Sequence, residues 1–200
     1  MKTTSRQSWE ERLRAARSSD IPAVLRHLAD DPEISVRQAV AENPATPPGT
    51  LDQMARAPAE SVRWYVAANP STPPGTVELL ASDSNSNVRI AVAGRPDCPP
   101  ATLAQLAQTG GLVRRVVAGH RNTPPGVLGC LLQDKDPFVA QQAAANPSLP
   151  RAALAMYQLA GGHKDTSLLL LHGTLTGYQR GCRCEDCRQC GYKFISSCCL

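Results

Sequence analysis

Four cysteines near the end of the chain have the spacing of a metal site. They are Cys182, Cys184, Cys187 and Cys190, in the pattern C-x-C-x-x-C-x-x-C, and six of the eight cysteines lie in the last nineteen residues. Such tight turns can bring several thiolates around one ion. A segment with almost no apolar core of its own needs such an ion to be ordered. We therefore interpret this stretch as a metal site, with structural zinc as the first hypothesis.

Two other interpretations of the same cysteines stay open. A 4Fe-4S cluster is the second hypothesis, because thiolates alone can hold one. A cysteine-rich tail without metal is the third. Cys198 and Cys199 are expected to be spare thiols, whereas Cys98 and Cys130 lie in apolar surroundings and are expected to behave as small hydrophobic residues.

The chain that leads to these cysteines is built from repeats. Prolines recur at spacings of 26, 26, 25 and 26 residues, at Pro47, Pro73, Pro99, Pro124 and Pro150. A fixed period of this size is typical of a solenoid, in which each unit buries its apolar face against its neighbours. The 42% hydrophobic and 4% aromatic content predicts a core of leucine, valine and alanine.

Each repeat predicts a helix that begins at its proline. Thr46, Thr72 and Thr123 stand where an N-cap residue belongs, with a proline at the expected first helical position. Apolar residues follow four, seven and eight positions later, which places them on one helical face. These predicted core residues are Leu51, Met54, Ala55, Val77, Leu80, Ala81, Leu103, Leu106, Ala107, Leu128, Leu131 and Leu132.

A second, shorter helix is predicted in each repeat after a polar break. Valines mark it at Val36, Val62, Val88, Val113 and Val139, each followed four residues later by Val or Ala. Asn-Pro pairs such as Asn69-Pro70 stop it, because a residue before proline is pushed out of the α region. With about six residues between stops, the second helix is expected to be partly 3₁₀. The predicted fold class is therefore an all-α helical repeat solenoid.

The repeat pattern V-R-x-A-V-A-x-N-P-x-T-P-P-x-x-L-x-x-L-A, over roughly residues 21–160, resembles the leucine-rich repeat variant family. The resemblance implies a right-handed superhelix of alternating α and 3₁₀ helices, similar to HEAT and armadillo solenoids. Some members of that family carry an iron–sulfur cluster beside the repeats. The chain departs from the pattern at Gly94-Arg95-Pro96, at Gly119-His120-Arg121 and at Ala140.

A second resemblance concerns the segment that begins at His172, H-G-T-x-x-G-Y-x-x-G-C-R-C-x-x-C-R. It is similar to a short Cys/His element of small actinobacterial and actinophage proteins, which implies zinc binding. That resemblance implies His172, Cys182, Cys184 and Cys187 as the ligands. Cys190 would then be a spare thiol.

The predicted domains follow from these features. Residues 1–18 form a tail and a capping helix to about Arg17, because Ser8 and Glu11 make a capping box. Residues 19–160 form the repeats. Residues 161–200 form the cysteine-rich tail, which Gly161-Gly162 separates from the repeats.

The repeats offer two candidate interaction features. One arginine per repeat could form a positive stripe that meets phosphates or acidic side chains, at Arg37, Arg63, Arg89 and Arg114. The structural alternative is that each arginine bonds turn carbonyls or an acidic neighbour in the adjacent unit. Trp64 and Tyr65 occur in one repeat alone, and could be a contact hot spot or part of the core.

Composition narrows the function. The net charge of +4 is too small for strong nucleic-acid binding by charge alone. No apolar run is long enough to span a bilayer and the N-terminus lacks a signal peptide's apolar stretch, so we expect a cytoplasmic protein. Because no catalytic motif is evident, we expect a non-enzymatic scaffold that binds another protein. Nucleic-acid binding through the zinc knuckle and the arginines is an alternative, as is a redox or sensing role for an iron–sulfur centre.

Overall fold

The computed structural model of the chain describes residues 8–159 and 161–162. Within those residues there are twelve α-helices and no β-strand. The all-α helical repeat that the periodicity predicts is therefore confirmed. The described residues fall into two compact units, which divide between Val92 and Ala93.

The helices of the first unit alternate between two kinds, which we call first and second helices of a repeat. The last residue of its final helix is the first residue of the other unit. The helices are α1 (Trp9–Ser18), α2 (Pro22–Leu28), α3 (Ile34–Glu42), α4 (Pro48–Met54), α5 (Glu60–Ala68), α6 (Pro74–Ala81) and α7 (Ser86–Ala93). The first helices are α2, α4 and α6, and the second helices are α3, α5 and α7.

The second unit continues the same alternation. Its helices are α8 (Pro100–Leu106), α9 (Gly111–Gly119), α10 (Pro125–Leu131), α11 (Pro137–Ala145) and α12 (Arg151–Leu159). The second helices here are α9 and α11, and they pack against each other, as α3 and α5 do in the first unit.

The first helices begin one residue later than the sequence analysis predicts. In α4 the first helical residue is Pro48, and Pro47 is the N-cap residue with extended backbone, φ −60° and ψ 141°. The prediction of Thr46 as the N-cap is wrong, as it is for Thr72 and Thr123. The reason is that Pro47 itself precedes a proline, which disfavours the α region and leaves it outside the helix.

The second helices are longer than predicted and are α-helical. They have eight or nine residues, because the polar break supplies their first turn: α5 begins at Glu60, two residues before Val62. The carbonyl of Ala59 accepts from both Val62 N, at 3.2 Å, and Arg63 N, at 3.3 Å. At the other end of α5, Asn69 N donates to Val66 O at 3.2 Å. The expected 3₁₀ character is therefore limited to the ends of the second helices, and the prediction of six-residue, partly 3₁₀ helices is wrong.

The core consists of the predicted apolar positions. The two valine positions of each second helix are fully buried, and so is Ala143, which takes the second of these positions in α11. Eleven of the twelve predicted residues of the first helices are also buried, and Ala107 alone is half-buried. Each fully buried valine or leucine contributes about 1.5–3 kcal/mol relative to exposure, so these rows hold the repeats together.

Helix α1 is the second helix of an incomplete repeat. Ser8 Oγ accepts from Glu11 N and the Glu11 carboxylate accepts from Ser8 N, which confirms the predicted capping box. α1 packs on α3 as α3 packs on α5. It thus covers the first repeat with a helix of the same kind as the others. No helix in the described part of the chain has the length and apolar character to cross a membrane.

Candidate functional site

The predicted metal ligands lie outside the residues that the structure describes. They are His172, Cys182, Cys184, Cys187 and Cys190. Within residues 8–159 and 161–162, no three His, Cys, Asp or Glu side chains are grouped so that they could hold a metal ion. The interaction residues predicted in the repeats do lie in the described part.

A buried asparagine that follows a second helix bonds one repeat to the one before it. Asn69 Nδ2 donates to Ala41 O at 2.7 Å and to Asn43 O at 2.9 Å, both in the preceding repeat, while its Oδ1 accepts from Ser71 N. These carbonyls lie at a helix end, where intrahelical partners are missing. Matching contacts join Asn43 to Ala16 O and Ser19 O, and Asn146 to Ala118 O and His120 O. We call Asn43, Asn69 and Asn146 the asparagine ladder.

The sequence predicted these asparagines only as stops of the second helices, and their contacts with the preceding repeat were not predicted. Their recurrence at one register position is the signal that could have found them, because a turn alone tolerates several residue types. A second unpredicted contact comes from the threonines that precede the proline pairs. Thr72 Oγ1 donates to Val66 O at 2.6 Å, and Thr46 and Thr123 do the same to Val40 O and Val117 O.

His120 takes the asparagine position in its repeat and reproduces two of the three contacts that Asn69 makes, one to the preceding repeat and one within its own turn. Its Nδ1 accepts from Asn122 N at 3.1 Å, as an asparagine Oδ1 would, so Nε2 carries the hydrogen that is donated to Arg95 O at 2.7 Å. The departure from the repeat pattern at Gly119-His120-Arg121 therefore keeps one hydrogen bond to the preceding repeat, where an asparagine makes two. At the departure from the pattern at Gly94-Arg95-Pro96, Arg95 is buried and pairs with Asp97 at 3.0 Å.

Three arginines form two-point ion pairs with an aspartate 19 or 20 residues farther along the chain. Arg63 Nε and Nη2 donate to Asp83 Oδ2 at 2.7 Å and to Oδ1 at 3.1 Å. Arg114 pairs with Asp134 at 2.5 and 3.1 Å, and Arg12 of α1 pairs with Asp31 at 2.6 and 3.1 Å. Arg12 was not among the predicted residues. It lies 25 residues before Arg37, which is the signal that could have found it.

The ion pairs keep the aspartates ionised. The hydrogen bond from Arg12 is the main cause of the lowered pKa of Asp31. At Asp83 and Asp134 burial is the largest influence and acts to raise the pKa. The hydrogen bonds from the arginine and from a backbone N–H two residues later outweigh burial, so the pKa of each lies below the ordinary value. Their carboxylates therefore hold arginine side chains and a turn in place.

The two other predicted arginines have no carboxylate partner in the described part of the chain. Arg37 Nη1 donates to Asp31 O at 2.5 Å and Pro32 O at 3.0 Å. Arg89 Nη1 makes the same contacts with Asp83 O and Ser84 O, and its buried Nε has no hydrogen-bond partner there. All four arginines thus contact turn carbonyls, and Arg63 and Arg114 contact an acid as well. This geometry favours the structural interpretation that the sequence analysis left open.

Trp64 and Tyr65 line a groove along α5 and α7. Their rings meet edge to face, with centroids 5.0 Å apart and planes at 88°. Trp64 is 39% exposed, so part of its ring faces solvent. The groove has a volume of about 280 Å³ and is lined by Glu60, Ser61, Trp64, Tyr65, Asn85, Asn87 and Ile90. We call it the Trp64 groove.

Apolar side chains are also exposed on the second helices of the other unit. Leu112, on α9, is 67% exposed, and Phe138, on α11, is 57% exposed. The guanidinium carbon of Arg115, on α9, lies 5.1 Å from the centre of the Phe138 ring. This distance is that of a cation–π contact, which partly covers the ring.

Cys98 and Cys130 are the two cysteines in the described part of the chain. Cys98 is fully buried, and burial raises the pKa of its thiol to about 11. Because the thiolate is the reactive form, Cys98 is inert near neutral pH. Cys130 is half-buried in α10.

These features agree with what comparison with known proteins shows. A family model described as the leucine rich repeat variant domain matches residues 35–96 and 89–147. Together the matches span residues 35 to 147, more than half of the 200 residues. The chain therefore belongs to the leucine rich repeat variant family, as the sequence pattern predicts. No curated protein matches the chain.

Proposed function

We propose that this chain is a non-enzymatic scaffold that binds another protein through the exposed side of its second helices. The repeat family and the helical fold support an interaction module. The observation that carries the proposal is where the large apolar side chains are exposed. Of the eight in the described residues, five lie on α1 and the second helices: Trp9, Ile34, Trp64, Leu112 and Phe138.

Exposed tryptophan and phenylalanine support a binding surface better than exposed small residues would. Aromatic side chains are enriched at protein interfaces and contribute much of their binding energy. In this chain aromatics make up only 4% of residues, and the core uses leucine, valine and alanine instead. Trp9, Trp64 and Phe138 are therefore not explained by core packing.

Site-specific photo-crosslinking tests the proposal. A photoreactive benzophenone side chain is placed in turn at Ile34, Trp64, Leu112 and Phe138 of the full chain in the cells from which it comes. Matched positions on exposed sides of first helices are Gln53, Glu78 and Ala101. We expect one partner protein to be captured from several second-helix positions and from none of the first-helix positions. Capture that is equal from both sets would contradict the proposal.

For the tail, we propose a structural zinc site on Cys182, Cys184 and Cys187, with His172 or Cys190 as a fourth ligand. Support comes from the donor set, because three thiolates with an imidazole or a fourth thiolate are typical of structural zinc. The cysteine spacing motivates the same proposal. When bound, the ion would order a segment that has little apolar sequence to bury.

Metal analysis of anaerobically purified protein tests the zinc site. We expect about one zinc ion per chain, lost in a Cys184→Ser variant and kept in a Cys130→Ser control. Loss of zinc from either His172→Ala or Cys190→Ser, but not both, identifies the fourth ligand. Brown protein with visible absorption would support the iron–sulfur alternative instead, and metal-free protein would contradict both.

A further inference from the structure

We propose that the Trp64 groove takes a positively charged side chain, arginine or lysine, from the partner protein. This inference rests on the proposed function and names the chemistry of one contact within it. The cation lies on the exposed face of the Trp64 ring and pairs with the Glu60 carboxylate. Three features support this assignment: the charge of the groove, the position of the Glu60 carboxylate and a cation–π contact that the chain makes within itself.

The groove carries a single charged side chain, that of Glu60, among the residues that line it. The nearby arginines of the same unit are engaged elsewhere: Arg63 pairs with Asp83, and Arg89 donates to turn carbonyls. The face of a tryptophan ring is also negative, because of its quadrupole. Both groups therefore attract a cation, and no lining residue repels one.

Glu60 is held at the groove beside the ring. Glu60 and Trp64 are four residues apart on α5, so their side chains lie on the same face of the helix. Asn85 Nδ2 donates a hydrogen bond to Glu60 Oε2, which leaves the second carboxylate oxygen for another donor. An arginine or lysine on the ring would then be within the reach of a charge-assisted hydrogen bond. Ile90 supplies apolar surface for the aliphatic part of such a side chain.

In the second unit, the neighbouring second helices α9 and α11 make a cation–π contact at the positions that correspond to this groove. There Arg115, two residues after the first buried valine of α9, lies over Phe138, one residue before the first buried valine of α11. In the first unit the same two register positions hold Trp64 on α5 and Asn87 on α7. The aromatic ring is present, but in the described part of the chain no cation lies over it. A partner would supply the charge that the chain supplies itself at α9 and α11.

The test uses the full chain with Trp9→Phe. The sequence has two tryptophans, so this variant leaves Trp64 as its single indole. The probes are three acetylated, amidated pentapeptides, Gly-Gly-X-Gly-Gly, in which X is arginine, citrulline or leucine. Citrulline has the shape of arginine without its charge. The readout is the indole N–H resonance of Trp64 in two-dimensional NMR spectra.

We expect a saturable shift with the arginine peptide and a weaker response to citrulline and leucine. Glu60→Gln should weaken binding of the arginine peptide by roughly 2- to 5-fold, in the range of one exposed cation–π or ionic contact. Asn87→Arg should abolish it, because its own guanidinium would occupy the ring. Leu79→Ala is the control, since Leu79 is similarly exposed, at 44%, on the first helix α6.

Three results would overturn the inference: no response to the arginine peptide, an equal response to citrulline, or a stronger response to leucine. Each leaves the proposed function standing if second-helix crosslinks identify a partner. Conversely, selective arginine binding without any second-helix crosslink contradicts the proposed function. The two proposals can therefore fail separately.

Discussion

The guanidinium of Arg63 and the carboxylate of Asp83, twenty residues later, form a two-point ion pair in which neither side chain is more than 14% exposed. Asp83 Oδ1 also accepts from Asn85 N at 2.8 Å, so one carboxylate holds an arginine of α5 and the turn before α7. The pair connects two consecutive repeats of the first unit. Its strength is directly testable.

Asp83→Asn should lower the free energy of unfolding by roughly 1–3 kcal/mol near neutral pH, because Arg63 loses a charged acceptor. The pH dependence follows from the lowered pKa of Asp83 in the folded state. The unfolded chain binds the proton more readily, so this contribution is complete above the ordinary aspartate pKa, about 3.9. It is lost as pH falls through the lower folded-state value.

Urea unfolding at steps from neutral to acidic pH measures this effect. The difference between the parent chain and Asp83→Asn should shrink as the pH falls below the ordinary aspartate pKa. Glu78→Gln, at an exposed position on α6, is the control for loss of a negative charge. A difference that is constant across the whole pH range would exclude the ion pair as its cause.

Asn69→Ala should destabilise the first unit by roughly 2–4 kcal/mol, because two buried carbonyls lose a hydrogen-bond donor. Asn122→Ala, in the second unit, is the matched variant. Its amide contacts with Pro96 O and Cys98 O are longer, 3.3 and 3.4 Å, and we expect a cost below about 1 kcal/mol. Hydrogen exchange of the α3 and α5 amides reports on Asn69→Ala, that of the α9 amides reports on Asn122→Ala, and urea unfolding measures both. Equal losses of unfolding free energy in the two variants would show that the ladder contacts stabilise the protein no more than the longer contacts of Asn122 do.

His120→Asn should keep the stability of the second unit within about 0.5 kcal/mol, because an asparagine can make both hydrogen bonds of the imidazole. His120→Leu should cost roughly 1–3 kcal/mol, since the carbonyl of Arg95 and the N–H of Asn122 would lose their partners. Urea unfolding of the two variants gives the comparison. If asparagine were as damaging as leucine, ring packing rather than hydrogen bonding would explain the residue.

Cys98 should resist alkylation by iodoacetamide in the native protein and react once urea unfolds it. The reason is its full burial and the raised pKa of its thiol, about 11, which leaves almost no thiolate near neutral pH. Half-buried Cys130 should react faster in the native state. Peptide mass spectrometry over time distinguishes the two sites. Rapid native labelling of Cys98 would contradict its burial.

The interior of the repeats was predictable because it depends on short-range periodicity. Val62 and Val66 are four residues apart, and this spacing alone assigns them to the buried side of a helix. The starts of the first helices were predicted one residue too early, with Thr46 rather than Pro47 as the N-cap of α4. The extended preference of a proline that is followed by proline decides that boundary, and it outweighs the N-cap preference of threonine.

The contacts of the candidate site were less predictable. The recurrence of Arg63 and Arg114 was visible in the sequence. Whether their guanidinium groups would bind another protein or an acid of the same chain was not, because Asp83 and Asp134 come within 3 Å of them only in the folded protein. Asn69 was recognised as a stop signal, whereas its acceptors lie 26 and 28 residues earlier. Contacts over such distances depend on how one repeat stacks on the next.

The order of residues by itself determined the repeat, its two helices and its buried side, because each depends on neighbours within one or two helical turns. Only the tertiary structure decided which side chains make contacts within the protein and which stay exposed so that a partner can bind them. Stacking brings Asp83 to Arg63 and leaves Trp64 beside Glu60 with part of its ring in solvent. A side chain is committed or available according to what the adjacent repeat places against it, and that placement is a property of the folded stack.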